Sequence, residues 1–154
     1  MTLTKKEQSL LKDLQHEEKL CAEKSHRAAE AACDPHLKSL FQQIEKAEEG
    51  HYNTVTGMLA GEVPAPQKGG QAKNAKQPSA EQLKSKAGRA GKKKDEYLLA
   101  DLLATEKHVS AVYNTSVFEF GDEKARQVLS GIQQQEQHHG KQISDYMQAN
   151  GMYC

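Results

Sequence analysis

Two glutamate–histidine pairs carry the chemistry that this sequence offers. Glu48 precedes His51 by three residues, and Glu136 precedes His139 by the same step. Thirty residues before each pair stands a further glutamate, Glu18 before Glu48 and Glu106 before Glu136. Residues three apart share a face of an α-helix, so each pair can aim a carboxylate and an imidazole at one point. Two pairs and two single glutamates make six oxygen and nitrogen donors, enough for two metal ions. Oxygen-rich ligation with one imidazole per ion suits iron or manganese, and zinc can also occupy such sites. In that arrangement Glu48 and Glu136 bridge the ions, Glu18 and Glu106 each bind one, and His51 and His139 supply one nitrogen apiece.

A Glu-x-x-His alone is a weak signal, because 15 Glu and 7 His produce about one by chance. The chain holds a third, Glu23 to His26, whose counterparts in the repeat described below are Ala111 and Asn114. That one reads as surface. The other two fall on apolar seams, and four carboxylates at one level of a dry interior repel strongly unless cations or shared protons compensate them. A dimetal site is the expectation. The competing one is a wet or proton-sharing polar layer with a purely structural role.

The elements that position these groups follow from period and capping. Thr4-Lys5-Lys6-Glu7 has the capping-box spacing, and Leu11, Leu14, Glu18, Cys21, Ser25, Ala28 and Ala32 step inward by threes and fours. Asp34 is the expected N-cap of a second helix, with Pro35 at its first position and Leu37, Phe41, Ile44, Glu48, His51, Val55 and Met58 inward. It ends near Gly61. A third helix is expected from Lys94-Asp95, with Leu99, Leu102, Glu106, Val109, Tyr113, Ser116 and Phe120 inward and Gly121 as its stop. Asp122 caps a fourth, which points Ala125, Leu129, Ile132, Glu136, His139, Ile143 and Tyr146 inward.

A shift of 88 residues superposes the second helical hairpin on the first without a gap, pairing Leu14 with Leu102, Asp34 with Asp122 and all six candidate ligands. The midpoint of positions 18 and 48 is 33, and that of 106 and 136 is 121, which is where the capping signals place the turns. Glu18 therefore faces Glu48 at one height, and Glu106 faces Glu136. The expected fold is all-α, an antiparallel four-helix bundle of two repeated hairpins. Residues 1–154 form one domain, with hairpins at 3–33 plus 35–60 and 95–120 plus 122–149, and a basic connector at 61–94.

That connector is rich in Gly, Pro, Gln, Ser and Lys. Over 62–94 nine Lys or Arg face only Glu62 and Glu81, a net charge of +7. It reads as a solvated flexible crossover, or as a basic arm for an acidic partner, with a helical turn or two at 79–87. The whole chain balances 21 basic against 21 acidic side chains, so charge gives no sign of a nucleic-acid partner. No stretch approaches the roughly 20 apolar residues of a membrane span, and the N-terminus lacks a signal-peptide core, so cytoplasmic synthesis is expected. Cys21, Cys33 and Cys154 form no C-x-x-C pair, which excludes a rubredoxin-type or zinc-ribbon module. Cys21 reads as a small core residue.

Several side chains near the candidate site have two readings. Tyr113, seven residues after Glu106, lies on the same seam as a hydrogen-bond donor to a ligand carboxylate or as plain core; its repeat counterpart is Ser25. Asp13 and Asp101 are partners of the histidines or merely solvated. His138, Glu49, His16, His36 and His108 point elsewhere. Leu103, Val112 and Val117 read as exposed apolar positions, from which a homodimer is expected.

The six ligand positions resemble the ferritin-like superfamily, whose rubrerythrin-like members take a Glu and a Glu-x-x-His from each half for a carboxylate-bridged dimetal centre. Tyr113 matches a tyrosine that some members carry. More narrowly, Asp101 to Lys107, Tyr113-Asn114, Ile132 to His139 and Tyr146 to Tyr153 resemble the Coat F family of spore coat proteins. The superfamily implies redox handling of oxygen or peroxide, as an oxidase-, peroxidase- or catalase-like oxidoreductase. The narrower family implies a spore coat component among other coat proteins, with a structural role as the alternative to an enzymatic one. The Gln and Lys residues of the connector suit protein cross-linking in such a coat.

Overall fold

The computed structural model describes residues 1–65 and 76–153; the rest of the connector and Cys154 lie outside the described residues. Four helices form: α1 (Lys5–Ala31), α2 (Pro35–Leu59), α3 (Arg89–Glu119) and α4 (Glu123–Ala149). No strand occurs among the described residues.

Local signals account for most of the helix ends. The Thr4 hydroxyl accepts the Glu7 N–H at 3.1 Å, and the Glu7 carboxylate accepts the Thr4 N–H at 2.7 Å, a complete capping box. Asp122 accepts the Ala125 N–H at 2.8 Å at the start of α4. Helix α2 closes through Gly61, at φ +88°, with Gly61 N–H on the Met58 carbonyl and Glu62 N–H on the Gly57 carbonyl, both at 2.9 Å. That is a Schellman motif, and its left-handed residue explains the glycine.

All 28 residues of the four inward series are buried. The apolar ones form two blocks, one containing Leu37, Phe41, Leu99, Leu102 and Ile143, the other Leu11, Leu14, Val55, Val109 and Leu129. On α2, α3 and α4 the glutamate–histidine layer falls between the blocks.

The short turns make α1 antiparallel to α2 and α3 antiparallel to α4. Helix α1 also runs antiparallel to α3, tied by Lys24 to Asp101 at 2.9 Å and Lys6 to Glu119 at 2.8 Å. Helices α2 and α3 are therefore parallel and diagonal, so α2 ends and α3 begins at opposite ends of the bundle, and the chain between them is described only at its two ends. The chain leaves α2 where the Met1 ammonium meets the Gly61 carbonyl and enters α3 beside Cys33, against which Gly91 packs. Residues 79–83 make a single turn that buries Leu83, and Asn150 donates to the Leu83 carbonyl at 2.9 Å.

Several expectations are corrected. Helix α3 begins at Arg89 rather than Lys94, because an extra turn packs against the α1–α2 turn; a Cβ at Gly91 would stand 3.0 Å from the Cys33 Cβ. Asp34 occupies the N-cap of α2 without capping it: its carboxylate accepts the Tyr146 hydroxyl at 2.6 Å. Helix α3 does stop just before Gly121, as expected, but that glycine is not in the left-handed region. Leu103 is buried, and Val112 and Val117 pack on the core, so the residues named for a homodimer do not supply an exposed face. The large apolar residues that are exposed on α3 are Tyr97 and Phe118, about 30 Å apart along the helix.

One pair of residues joins the hairpins at their turns. Asp95, fully buried, accepts the N–H groups of Cys33 at 2.8 Å and Asp34 at 3.0 Å. Its repeat counterpart Glu7 accepts the N–H of Gly121 at 3.1 Å in the other turn. Asp95→Ala strands two backbone donors, and we expect a loss of about 2–4 kcal/mol, or roughly 5–15 °C in Tm. Thermal unfolding followed by circular dichroism checks this, and an unchanged Tm contradicts it.

Candidate metal centre

The six sequence-predicted donors converge. They form two overlapping sets, Glu18, Glu48, His51 and Glu136, and Glu48, Glu106, Glu136 and His139. Within each set the donor atoms lie within 4.8 Å of one another, and every member is buried. Glu48 and Glu136 belong to both sets; Glu18 with His51, and Glu106 with His139, belong to one each.

Hydrogen bonds knit the layer across the hairpins. His51 Nδ1 lies 2.9 Å from Glu136 and 3.1 Å from Glu48, and 3.6 Å from Glu18. His139 Nδ1 lies 3.2 Å from Glu48, 3.6 Å from Glu136 and 3.7 Å from Glu106. Both rings thus turn the same nitrogen inward, with centroids 6.2 Å apart. The Oε2 atoms of Glu18, Glu106 and Glu136 are buried without a hydrogen-bond partner. Orphaned carboxylate oxygens inside a shell of imidazole and carboxylate donors fit a divalent cation, which supplies the missing interaction.

Tyr113 hydrogen-bonds a candidate ligand, and that ligand is Glu18 on α1 rather than a residue of its own hairpin. Ser25 holds the equivalent place in the repeat, with its hydroxyl buried and unpartnered. Sequence reasoning missed Gln135, whose Oε1 makes a short contact with His51 Nε2 and fixes that ring. Its counterpart, Ala47, has no polar atom to offer His139. Asp13 is exposed and Asp101 pairs with Lys24, so neither serves the histidines. Glu23 and His26 are exposed, with His26 against Glu45, as the surface reading expects. His16, His36, Glu49, His108 and His138 are exposed as well.

Burial sets the protonation of the layer. It pushes Glu18 up to about 9 and Glu106 up to about 10, against some relief from His51 and His139 respectively. Burial also acts on Glu48 and Glu136, but hydrogen bonds from His139 and His51 outweigh it and hold both below the ordinary carboxylate value. The histidines go up despite burial, His139 to about 11 and His51 further, because carboxylates surround them. Without a cation the layer is then neutral, with two imidazolium ions against two carboxylates and a proton on each remaining glutamate. Tyr113 is pushed well up, first by burial and then by Glu18, and stays a phenol that donates.

These directions fix a pH dependence. Glu18 and Glu106 rise from 4.5, and His139 and His51 from 6.5. A raised group stabilises the fold fully below its unfolded value and loses that contribution as pH climbs through the folded one. We therefore expect chelator-treated protein to lose stability from pH 6 to pH 10, by about 1.4 kcal/mol per pH unit for each proton that distinguishes the states. Urea midpoints across that range check it; a midpoint that rises with pH contradicts it.

The chain is thus a four-helix bundle with a buried glutamate–histidine cluster at mid-length. Residues 94–153 match the family model of the Coat F domain, and over that stretch, which carries Glu106, Tyr113, Glu136 and His139, the chain is similar to that family. No curated protein and no solved structure matches the chain. No helix among the described residues is long and apolar enough to cross a membrane.

Proposed function

We propose that this chain is a ferritin-like, carboxylate-bridged dimetal protein that handles peroxide or oxygen as a component of the spore coat. The observation that carries the reading is that Glu48 and Glu136 belong to both donor sets, as bridging ligands must. Glu18 and His51 would complete the ligands of one ion, and Glu106 and His139 those of the other. Iron or manganese held there supplies Lewis acidity and redox chemistry. The protein's own part is to keep the donors dry between two apolar blocks, to hold Glu18 through Tyr113, and to orient His51 through Gln135. With no C-x-x-C electron-transfer module in the sequence, disproportionation of peroxide to water and oxygen suits the chain better than a reductase cycle. The spore coat setting rests on the Coat F match over 94–153, which also points to other coat proteins as partners.

A second reading, a structural coat protein whose polar layer needs no metal, is favoured by one observation. The six groups can balance their own charge through imidazolium–carboxylate pairs. Metal content separates the two. Under the dimetal reading, protein loaded with iron or manganese keeps about two ions per chain, and loading displaces about four protons, one each from Glu18, Glu106, His51 and His139. The Glu48→Ala, Glu136→Ala double variant loses both ions. If wild type binds no more metal than that variant, the structural reading stands. Peroxide consumption is expected to exceed that of free ion and to vanish in the double variant; metal bound without turnover removes the enzymatic part.

A further inference from the structure

The repeat makes two clefts equivalent, and only one of them reaches the buried layer. Between α3 and α4 a cleft of about 390 Å³ has Glu106 and Glu136 in its lining. The Oε2 atom of each is buried without a hydrogen-bond partner. Leu103 and Gly140 form its walls, and Lys107 lies 5.9 Å from the Tyr153 ring at its rim. The matching cleft between α1 and α2, about 280 Å³, is lined by Lys19, Ala22, Glu49, Tyr52 and Asn53 and by none of the six donors.

The residue that differs most between the two is the one after the histidine. Tyr52 follows His51, and Gly140 follows His139. A ring stands over the first cleft where the second has no side chain. Two further exchanges work in the same direction. Tyr113 and Gln135 close around Glu18 and His51, while the repeat puts Ser25 and Ala47 in the corresponding places around Glu106 and His139. Glu106 keeps 4% of its surface exposed and Glu18 none. The halves of the layer are alike in donors and unlike in access.

We infer that divalent cations enter and leave the centre through the α3–α4 cleft, on the Glu106–His139 side, and that Gly140 keeps this route open. The inference rests on the dimetal reading above. It makes Gly140 a gate position that touches no ion. A Cβ at Gly140 meets only Leu103 Cδ1, at 3.7 Å, so a side chain can be built there without a clash at its first atom.

Uptake of Mn(II) by metal-free protein, followed by loss of the free-ion EPR signal, tests the route, with equilibrium dialysis giving the stoichiometry. Gly140→Tyr is expected to bind the wild-type number of ions but to load them at least about 10-fold more slowly, since access then waits on side-chain motion. Adding Tyr52→Ala to that variant opens the other cleft and restores much of the rate. Gly140→Tyr that loads fully at the wild-type rate overturns the route while leaving the dimetal reading intact. Wild type that binds no Mn(II) overturns the dimetal reading and this inference with it. Should Gly140→Tyr lose its helical content, Gly140→Leu decides in its place: slower loading to the wild-type number of ions supports the route, and loading at the wild-type rate overturns it.

Discussion

Four carboxylates buried at one level of a bundle are the constraint on which the rest depends. Each ionised carboxylate in a dry interior costs several kcal/mol unless it is paired. The chain meets that cost by placing two imidazoles among the four glutamates, so each charge has an opposite within about 3 Å. Such compensation requires all four helices to arrive in register. The register is fixed at the ends, where Asp95 and Glu7 bind the backbone of the opposite hairpin's turn. Cross-hairpin contacts at both ends and at the centre, with apolar blocks between, tie the bundle at three levels.

The same charges that must be neutralised by protons are the donors a cation needs. Under the dimetal proposal, exchanging four protons for two divalent ions would leave the layer neutral, so that metal loading and protonation would compete without changing its total charge. The two halves keep the donor set equal while the surroundings diverge: Tyr113 and Gln135 brace one side, and Ser25, Ala47 and Gly140 leave the other open.

That the six side chains converge was legible in the sequence because their signals are periodic. Glu18, Glu48, Glu106 and Glu136 sit on apolar seams, and the hairpin midpoints at 33 and 121 predict their common height without any tertiary information. What could not be read depends on packing across helices distant in sequence. Tyr113 lies on the seam of Glu106 but reaches Glu18, because α1 and α3 are neighbours. Asp34 has the type and position of an N-cap, yet Tyr146 from α4 claims its carboxylate. Leu103 falls between the inward positions Leu102 and Glu106, so the strict three–four series passes it over, yet it shares the Glu106 side of α3 and packs beside Gly140 of α4. The start of α3 was missed because Lys92 to Lys94 read as connector, while the packing of Gly91 on Cys33 extends the helix beneath them.

Anomalous diffraction from crystals grown with manganese, recorded on both sides of the metal's absorption edge, tests the central claim most directly. The account predicts two peaks about 3.5–4 Å apart between Glu48 and Glu136, one beside His51 and the other beside His139. Crystals of fully folded protein with no peak in that layer, or with manganese only at surface carboxylates, would contradict it.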